Sequence, residues 1–352
     1  MKNIFDYIEE NKDKSFKSFK FNEIDASILA TAAYFKFENL KVPFAKFKDL
    51  TERMKEKLLA DISERPLKEK LLNYMVNSKR FGNILFSNTL NIFSKEECTQ
   101  FFGIVFKISF RQSVISFRGT DNTLLGWKEN LELSYRETGA QKAANKFLKG
   151  ALALGRFRKF YIVGHSKGGL LAATAYSSAS KKQLKRIIKC YDFDGPGINS
   201  KDIVENENII KLVPTEALVG IIYDEGNYEI VNAEGKMFEQ HSLFNWDINL
   251  KDSEFIRTEE RTVNSLIFEG TLNDWVSKLS PEELKETIDT IADMIDRPLD
   301  TFVSDLDITK GEIILKFLKN KKVTISKRKR LFNNLMALSK AFKENKKLFK
   351  QK

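Results

Sequence analysis

The chain has 352 residues, 42% hydrophobic and 30% charged, a balance that suits a folded protein of about two domains and excludes wholesale disorder. Two histidines and two distant cysteines, Cys98 and Cys190, exclude a histidine-rich metal centre and a disulfide framework and fit a reducing compartment. The net charge of +11 is uneven: Lys310 to Lys352 carries 15 Lys and Arg against Glu312 and Glu344, a balance of +13, so the first 309 residues carry about −2.

In chain order, Met1 to Glu10 has acids within its apolar stretch and no small-residue cleavage site, so no signal peptide is expected. No run approaches the roughly 18 apolar residues that span a bilayer. The cytoplasm is the expected compartment. Residues 1–80 read as helices packed on a following body. A mostly apolar helix follows Asn22, and amphipathic helices over Leu50–Ile62 and Leu67–Val76 are separated at Pro66. The period then changes, and Ile84–Phe93 and Phe101–Phe117 read as strands. Trp127–Leu133 and Gln141–Leu154 return to helix, Phe160–Val163 is a short buried strand, and Leu170–Ala179 is an alanine-rich helix. Ile187–Phe193 and Ile209–Val213 are further strands, and Gly220–Val231 reads as a hairpin turning at Asp224–Asn227. Such alternation implies an α/β fold with a mainly parallel sheet and helices on both faces. The expected division is a helical segment over 1–80, an α/β core over 81–256 and a helical region with a basic tail over 257–352. In the last of these, Ser280-Pro-Glu-Glu283 is a helix start and Arg297-Pro298 a break.

Between the strand at 160–163 and the helix at 170–179 lies Gly164-His-Ser-Lys-Gly168. A Gly-x-Ser-x-Gly turn between strand and helix holds its serine at a strained backbone angle, exposed for attack, with helix N–H groups aimed at any anion formed beside it. Ser166 is therefore the candidate nucleophile; the plainer reading is a glycine-rich loop for phosphate. A serine hydroxyl needs a base, and the base needs an acid. His165 adjoins Ser166 on the tight turn, where the two side chains diverge. That leaves His241, ten residues past Val231, whose own plainer reading is a surface histidine in a polar loop.

Gly-His-Ser-Lys-Gly-Gly resembles the serine elbow of α/β-hydrolases of the lipase type, especially class 3 lipases and an uncharacterised bacterial branch beside them. Val114-Ile-Ser-Phe-Arg-Gly-Thr120 is similar to the Phe-Arg-Gly-Thr signature of class 3 lipases. That resemblance implies that Thr120 supplies one oxyanion donor, with the Lys167 backbone N–H as the other. The chain departs from the family twice. Lys167 stands where Leu is usual, its side chain expected to face solvent, and Lys211 stands where class 3 lipases usually carry their acid. The resemblance implies Asp194 instead, in Asp-Gly-Pro-Gly197 at the end of the strand after the elbow, with Glu216 and Asp224 as rivals. Arg118 and Asp121 are expected to pair and fix the loop.

The leading expectation is a serine hydrolase acting on a carboxylic ester, an acyl lipid above all, through an acyl-enzyme and without metal or organic cofactor. The alternative is an inactive hydrolase-fold binding module or adaptor for an anionic lipid surface or nucleic acid, which the missing class 3 acid favours. The tail lacks a nucleic-acid motif, so nucleic acid is the weaker partner. Its cationic start and apolar spacing fit an amphipathic helix at an anionic membrane surface, a peripheral association, or alternatively a helix packed on the body.

Overall fold

The structure, a computed structural model, describes residues 1–120, 124–132, 137–197, 207–224, 227–295 and 324–350. Within it the chain divides into two compact units: Met1–Ile92, Phe101–Asp121 and Ala140–Arg261 in the first, and Phe93–Gln100, Asn122–Gly139 and Thr262–Lys352 in the second.

Strand alternation explains the first unit. Side chains of a strand point to opposite faces with period two. Tyr161 and Val163 enter one core with Val114, Tyr191 and Phe193, while Phe160 and Ile162 enter another with Ile115, Phe117 and Cys190. Both faces are apolar, so both must be covered. The first face takes the N-terminal helices Ile4–Asn11, Glu23–Ala32 and Arg65–Asn77. The helix Glu23–Ala32 is buried on every side, which is why its sequence is apolar nearly all round. The second face takes Gly139–Leu154 and Lys167–Ser177, whose alanines allow close approach to the sheet.

Nine strands form the main sheet among the described residues: β1 (Phe44–Lys46), β2 (Leu85–Ser94), β3 (Thr99–Lys107), β4 (Gln112–Phe117), β5 (Lys159–His165), β6 (Ile187–Phe193), β7 (Ile209–Pro214), β8 (Glu229–Val231) and, past a two-stranded ribbon of β9 (Ile248–Asn249) and β10 (Glu254–Phe255), β11 (Arg257–Thr258). Their spatial order is β1-β2-β3-β4-β5-β6-β7-β8-β11. From β4 to β8 every pairing is parallel. The expected α/β class with a mainly parallel sheet and helices on both faces is the observed one.

Three local expectations differ. Residues 1–80 are not wholly helical, because β1 pairs antiparallel with β2 at one edge. The run Phe101–Phe117 is two antiparallel strands, since the chain reverses between Lys107 and Gln112. Among the described residues no hairpin spans Gly220–Val231: Gly220–Tyr223 is a turn, and β8 lies parallel to β7. The N–H of Gly220 and the carbonyl of Ile222 are bonded to the loop after β6 instead of to a strand partner. Arg297-Pro298 lies outside the described residues.

Of two buried arginines, Arg80 holds the N-terminal segment together and Arg118 ties it to the sheet. Arg80 pairs with Asp25, both fully buried, and its remaining donors reach the carbonyls of Phe19 and Lys20. Arg118, at the end of β4, grips Glu38 with both terminal nitrogens at 2.7 and 2.8 Å and the carbonyls of Ala33 and Phe35 at 2.7 Å each. The expected partner, Asp121, lies outside the described residues. Glu38 occupies a guanidinium fork suited to bidentate carboxylate binding.

In the second unit the helices Val263–Val276 and Pro281–Ile295 pack on a long helix, Ile325–Lys350. Ser280 and Glu283 form the reciprocal cap expected at the second helix start. The Trp275 indole donates to the Asn334 carbonyl at 2.8 Å, and the Asn345 amide to Asp274 at 2.7 Å. Among the described residues no helix is long and apolar enough to cross a membrane.

Candidate active site

Parallel pairing sets the carboxyl ends of β4 to β8 along one sheet edge: Phe117 lies beside Gly164, His165 beside Phe193, Phe193 beside Leu212, and Pro214 beside Val231. Ligand sites of open α/β sheets lie at such edges. Every candidate residue follows one of these strand ends.

Ser166 sits between β5 and its helix at φ 59° and ψ −135°, a strained conformation for a residue with a side chain. Its N–H is bonded to the Phe193 carbonyl at 2.9 Å, and its own carbonyl accepts from Gly169 at 2.8 Å. The flanking glycines are required by contact. A Cβ on Gly164 would lie 1.9 Å from the Gly168 carbonyl oxygen, and one on Gly168 would lie 2.2 Å from the Phe117 carbonyl oxygen. The helix start is therefore pressed against the end of β4, where Gly119 and Thr120 follow. Lys167 is 1% exposed and so does not face solvent as expected.

Asp194 follows β6 by one residue, at φ 51° and 1% exposed. Its Oδ2 lies 2.6 Å from His241 Nδ1, and its Oδ1 accepts the Gly220 N–H at 2.9 Å. A carboxylate only accepts, so Nδ1 of His241 carries the proton and Nε2 is left as the basic nitrogen. The rival acids have other partners. Asp224 pairs with Lys211 at 2.5 Å, and Glu216 accepts the Met237 N–H at 2.8 Å. Lys211, where the class 3 acid would stand, is thus a buried cation between Asp224 and, at 4.0 Å, Asp192.

The loop bearing His241 is held by its neighbour Gln240, which uses its full hydrogen-bonding capacity. Its amide oxygen accepts from the Glu216 N–H and the Thr215 hydroxyl, and its nitrogen donates to the carbonyls of Ala233 and Gly235. The Trp246 indole donates to the Gln240 carbonyl at 2.7 Å. A buried network satisfied in this way fixes one geometry.

His165 takes no part in the Asp194 pair. Its Nε2 lies 2.7 Å from the His241 carbonyl, which makes that nitrogen a donor. Its Nδ1 lies 3.1 Å from the Tyr34 hydroxyl. Burial, then the neighbouring His241, holds the His165 imidazole well below its ordinary range, so it is neutral and Nδ1 accepts from Tyr34. The ring lies 4.5 Å from that of His241, tilted by 37°. It is a brace for the histidine loop. Tyr34 and Gly220 carry no motif; no sequence signal marks residues that meet the site only through long-range packing.

Asp192, two residues before Asp194, is buried and its carboxyl is pushed up to about 7, by burial first and against the pull of Lys211. Its Oδ1 accepts the Gly195 N–H at 2.9 Å, and a Cβ on Gly169 would lie 1.9 Å from that same oxygen. It wedges the elbow helix against the turn that carries Asp194. The two thiols, Cys98 and Cys190, are both buried and not joined in a disulfide. Among the described residues no group of three or more His, Cys, Asp or Glu could hold a metal ion.

Strand order, elbow and sheet edge together belong to an α/β fold with a mainly parallel sheet. Among solved structures the chain is similar to a mutant form of MDLA from Penicillium cyclopium, at 15% identity over 65% of this chain and 83% of that one with a TM-score of 0.38. It is also similar to a fungal lipase, at 16% identity over 66% and 83% with a TM-score of 0.37. No curated protein matches it. The Mbeg1-like family profile matches residues 75–293, a span that takes in β2 to β8, the elbow at Ser166 and the Asp194–His241 pair, and the chain belongs to the Mbeg1-like family.

Proposed function

We propose that the protein is a serine hydrolase of carboxylic esters, acyl lipids above all, with Ser166 as nucleophile, His241 as base and Asp194 as the acid that orients it. The observation that carries this reading is the 2.6 Å contact between His241 Nδ1 and Asp194 Oδ2 at the sheet edge that also bears the strained Ser166. In this mechanism the Ser166 hydroxyl adds to the ester carbonyl carbon while His241 Nε2 takes its proton. Backbone N–H groups of Lys167 and Thr120 stabilise the oxyanion. Collapse breaks the carbonyl–alkoxy bond, the alcohol leaves with the proton from His241, and the acyl group stays on Ser166. Water then repeats both transfers and frees the acid and the serine. The helix Lys167–Ser177 adds a favourable field at its start, where the anion forms.

The absence of an acid at position 211 favoured an inactive binding module. Asp194 offers another acid to His241, which removes the main support for that alternative. The test is labelling by a fluorophosphonate together with hydrolysis of short nitrophenyl esters. Wild type should do both and Ser166→Ala neither. Labelling that survives Ser166→Ala, or a wild type inert to probe and esters alike, overturns the reading.

A further inference from the structure

The helix Ile325–Lys350 has two apolar sides and only one is covered. Leu331, Ala341 and Asn345 are buried, and the hydrogen bonds from Trp275 to Asn334 and from Asn345 to Asp274 hold that side against the two helices before it. At 100° per residue, Phe332, Leu335, Met336 and Phe342 fall within roughly 120° of the circumference, on another side. They are 57%, 45%, 55% and 47% exposed. Isolated exposed apolar residues are ordinary, but four on one helix face form a patch. Lys343 and Lys346 lie on the same arc at its carboxyl end, and Lys329, Lys340 and Lys347 line its rim, all exposed. The whole helix carries nine Lys or Arg against Glu344, which faces Lys340 at 3.9 Å.

We infer that this face is a docking surface for an anionic lipid bilayer, with Phe332, Leu335, Met336 and Phe342 entering the acyl boundary and the lysines engaging headgroup phosphates and carboxylates. An apolar arc bordered by lysines is the pattern of helices that lie in a bilayer interface. Lysine suits the rim because its alkyl stem covers apolar surface while the ammonium reaches outward. Charge selects this occupant over two others. A second copy of the helix would set lysines against lysines. A nucleic acid would satisfy the lysines but leave four large apolar side chains in water. An anionic bilayer satisfies both at once.

Phe332 and Met336 lie roughly 100° or more round the helix from Leu331, Ala341 and Asn345, so they can be altered without touching those contacts. The test is co-sedimentation of the full chain with vesicles of phosphatidylcholine, with and without phosphatidylserine, and it involves no ester turnover. Binding should appear on the mixed vesicles and fall at least about tenfold when salt rises from about 0.1 to about 0.5 M. Phe332→Gln with Met336→Gln removes apolar area; Lys343→Glu, Lys346→Glu and Lys347→Glu reverse charge. Each set should weaken binding by about tenfold or more with thermal unfolding unchanged. Equal binding to neutral vesicles overturns the inference. So does binding that survives Phe332→Gln with Met336→Gln, since charge alone then suffices. A full chain that self-associates through this face, dissociates on that substitution and ignores vesicles overturns it in favour of a second copy.

Discussion

Replacing Asp194 by Asn tests the orienting role with the least disturbance of the fold. Asn tolerates the left-handed backbone that Asp194 adopts at φ 51°, and the side chains are isosteric. Its orientation is dictated by Gly220, whose N–H donates to Oδ1 at 2.9 Å. The amide oxygen must meet that donor, so the amide nitrogen faces His241 Nδ1. Two donors cannot share the contact. His241 then keeps its proton on Nε2, and the nitrogen proposed to take the Ser166 proton is no longer basic. A wrong tautomer of this kind costs serine proteases about 10⁴-fold in kcat, equivalent to about 5.5 kcal/mol of barrier. For Asp194→Asn we expect a kcat loss of that order on nitrophenyl esters, a KM within about threefold, slowed fluorophosphonate labelling and an unchanged unfolding midpoint. Glu216→Gln and Asp224→Asn should stay within about tenfold of wild type, because their carboxylates serve the Met237 N–H and Lys211. An Asp194→Asn enzyme within tenfold of wild type, or a larger loss from either rival, would refute the assignment.

Two further outcomes follow from buried titratable groups. Burial holds His165 well below its unfolded value of about 6.5, so below that pH the unfolded chain binds more protons and stability falls with pH. His165→Gln can keep the bonds to Tyr34 and the His241 carbonyl without titrating; denaturant unfolding from pH 8 to 5 should show wild type losing stability relative to it, and a flat difference would count against a buried neutral His165. Arg80→Met strands Asp25 in the core, and urea unfolding should show a loss of about 3–5 kcal/mol; a loss below about 1 kcal/mol would mean that Asp25 finds water or another donor.

The elbow was legible because its requirements are local. Strand, Gly164, Ser166, Gly168 and helix are contiguous, and each glycine is needed by a contact within the motif or with the next strand. His241 could be reached because the chain offers only two histidines and one of them adjoins the serine. The Asp194 contact was one of three carboxylates in view, and choosing among them required knowing that Gly220 and Lys211 divide the acids between them. What stayed hidden joins residues far apart in sequence. Arg118 finds Glu38 across 80 positions and Tyr34 finds His165 across 131. The false hairpin at Gly220 came from a turn-like composition whose backbone groups serve the Asp194 loop, a use that local propensity does not encode.

The family match begins at residue 75, yet the fold does not. A chain cut there would lose Glu38 and the carbonyls of Ala33 and Phe35, leaving the Arg118 guanidinium at the foot of the Thr120 loop without its anion. It would lose the Leu29 carbonyl that accepts from Ser116 at 3.0 Å and the Tyr34 hydroxyl beside His165. It would also bare one whole apolar face of the sheet. The segment that marks descent is therefore smaller than the segment that folds. The first 74 residues are a wall that the edge bearing Ser166 and Asp194 is built against, without a motif of their own.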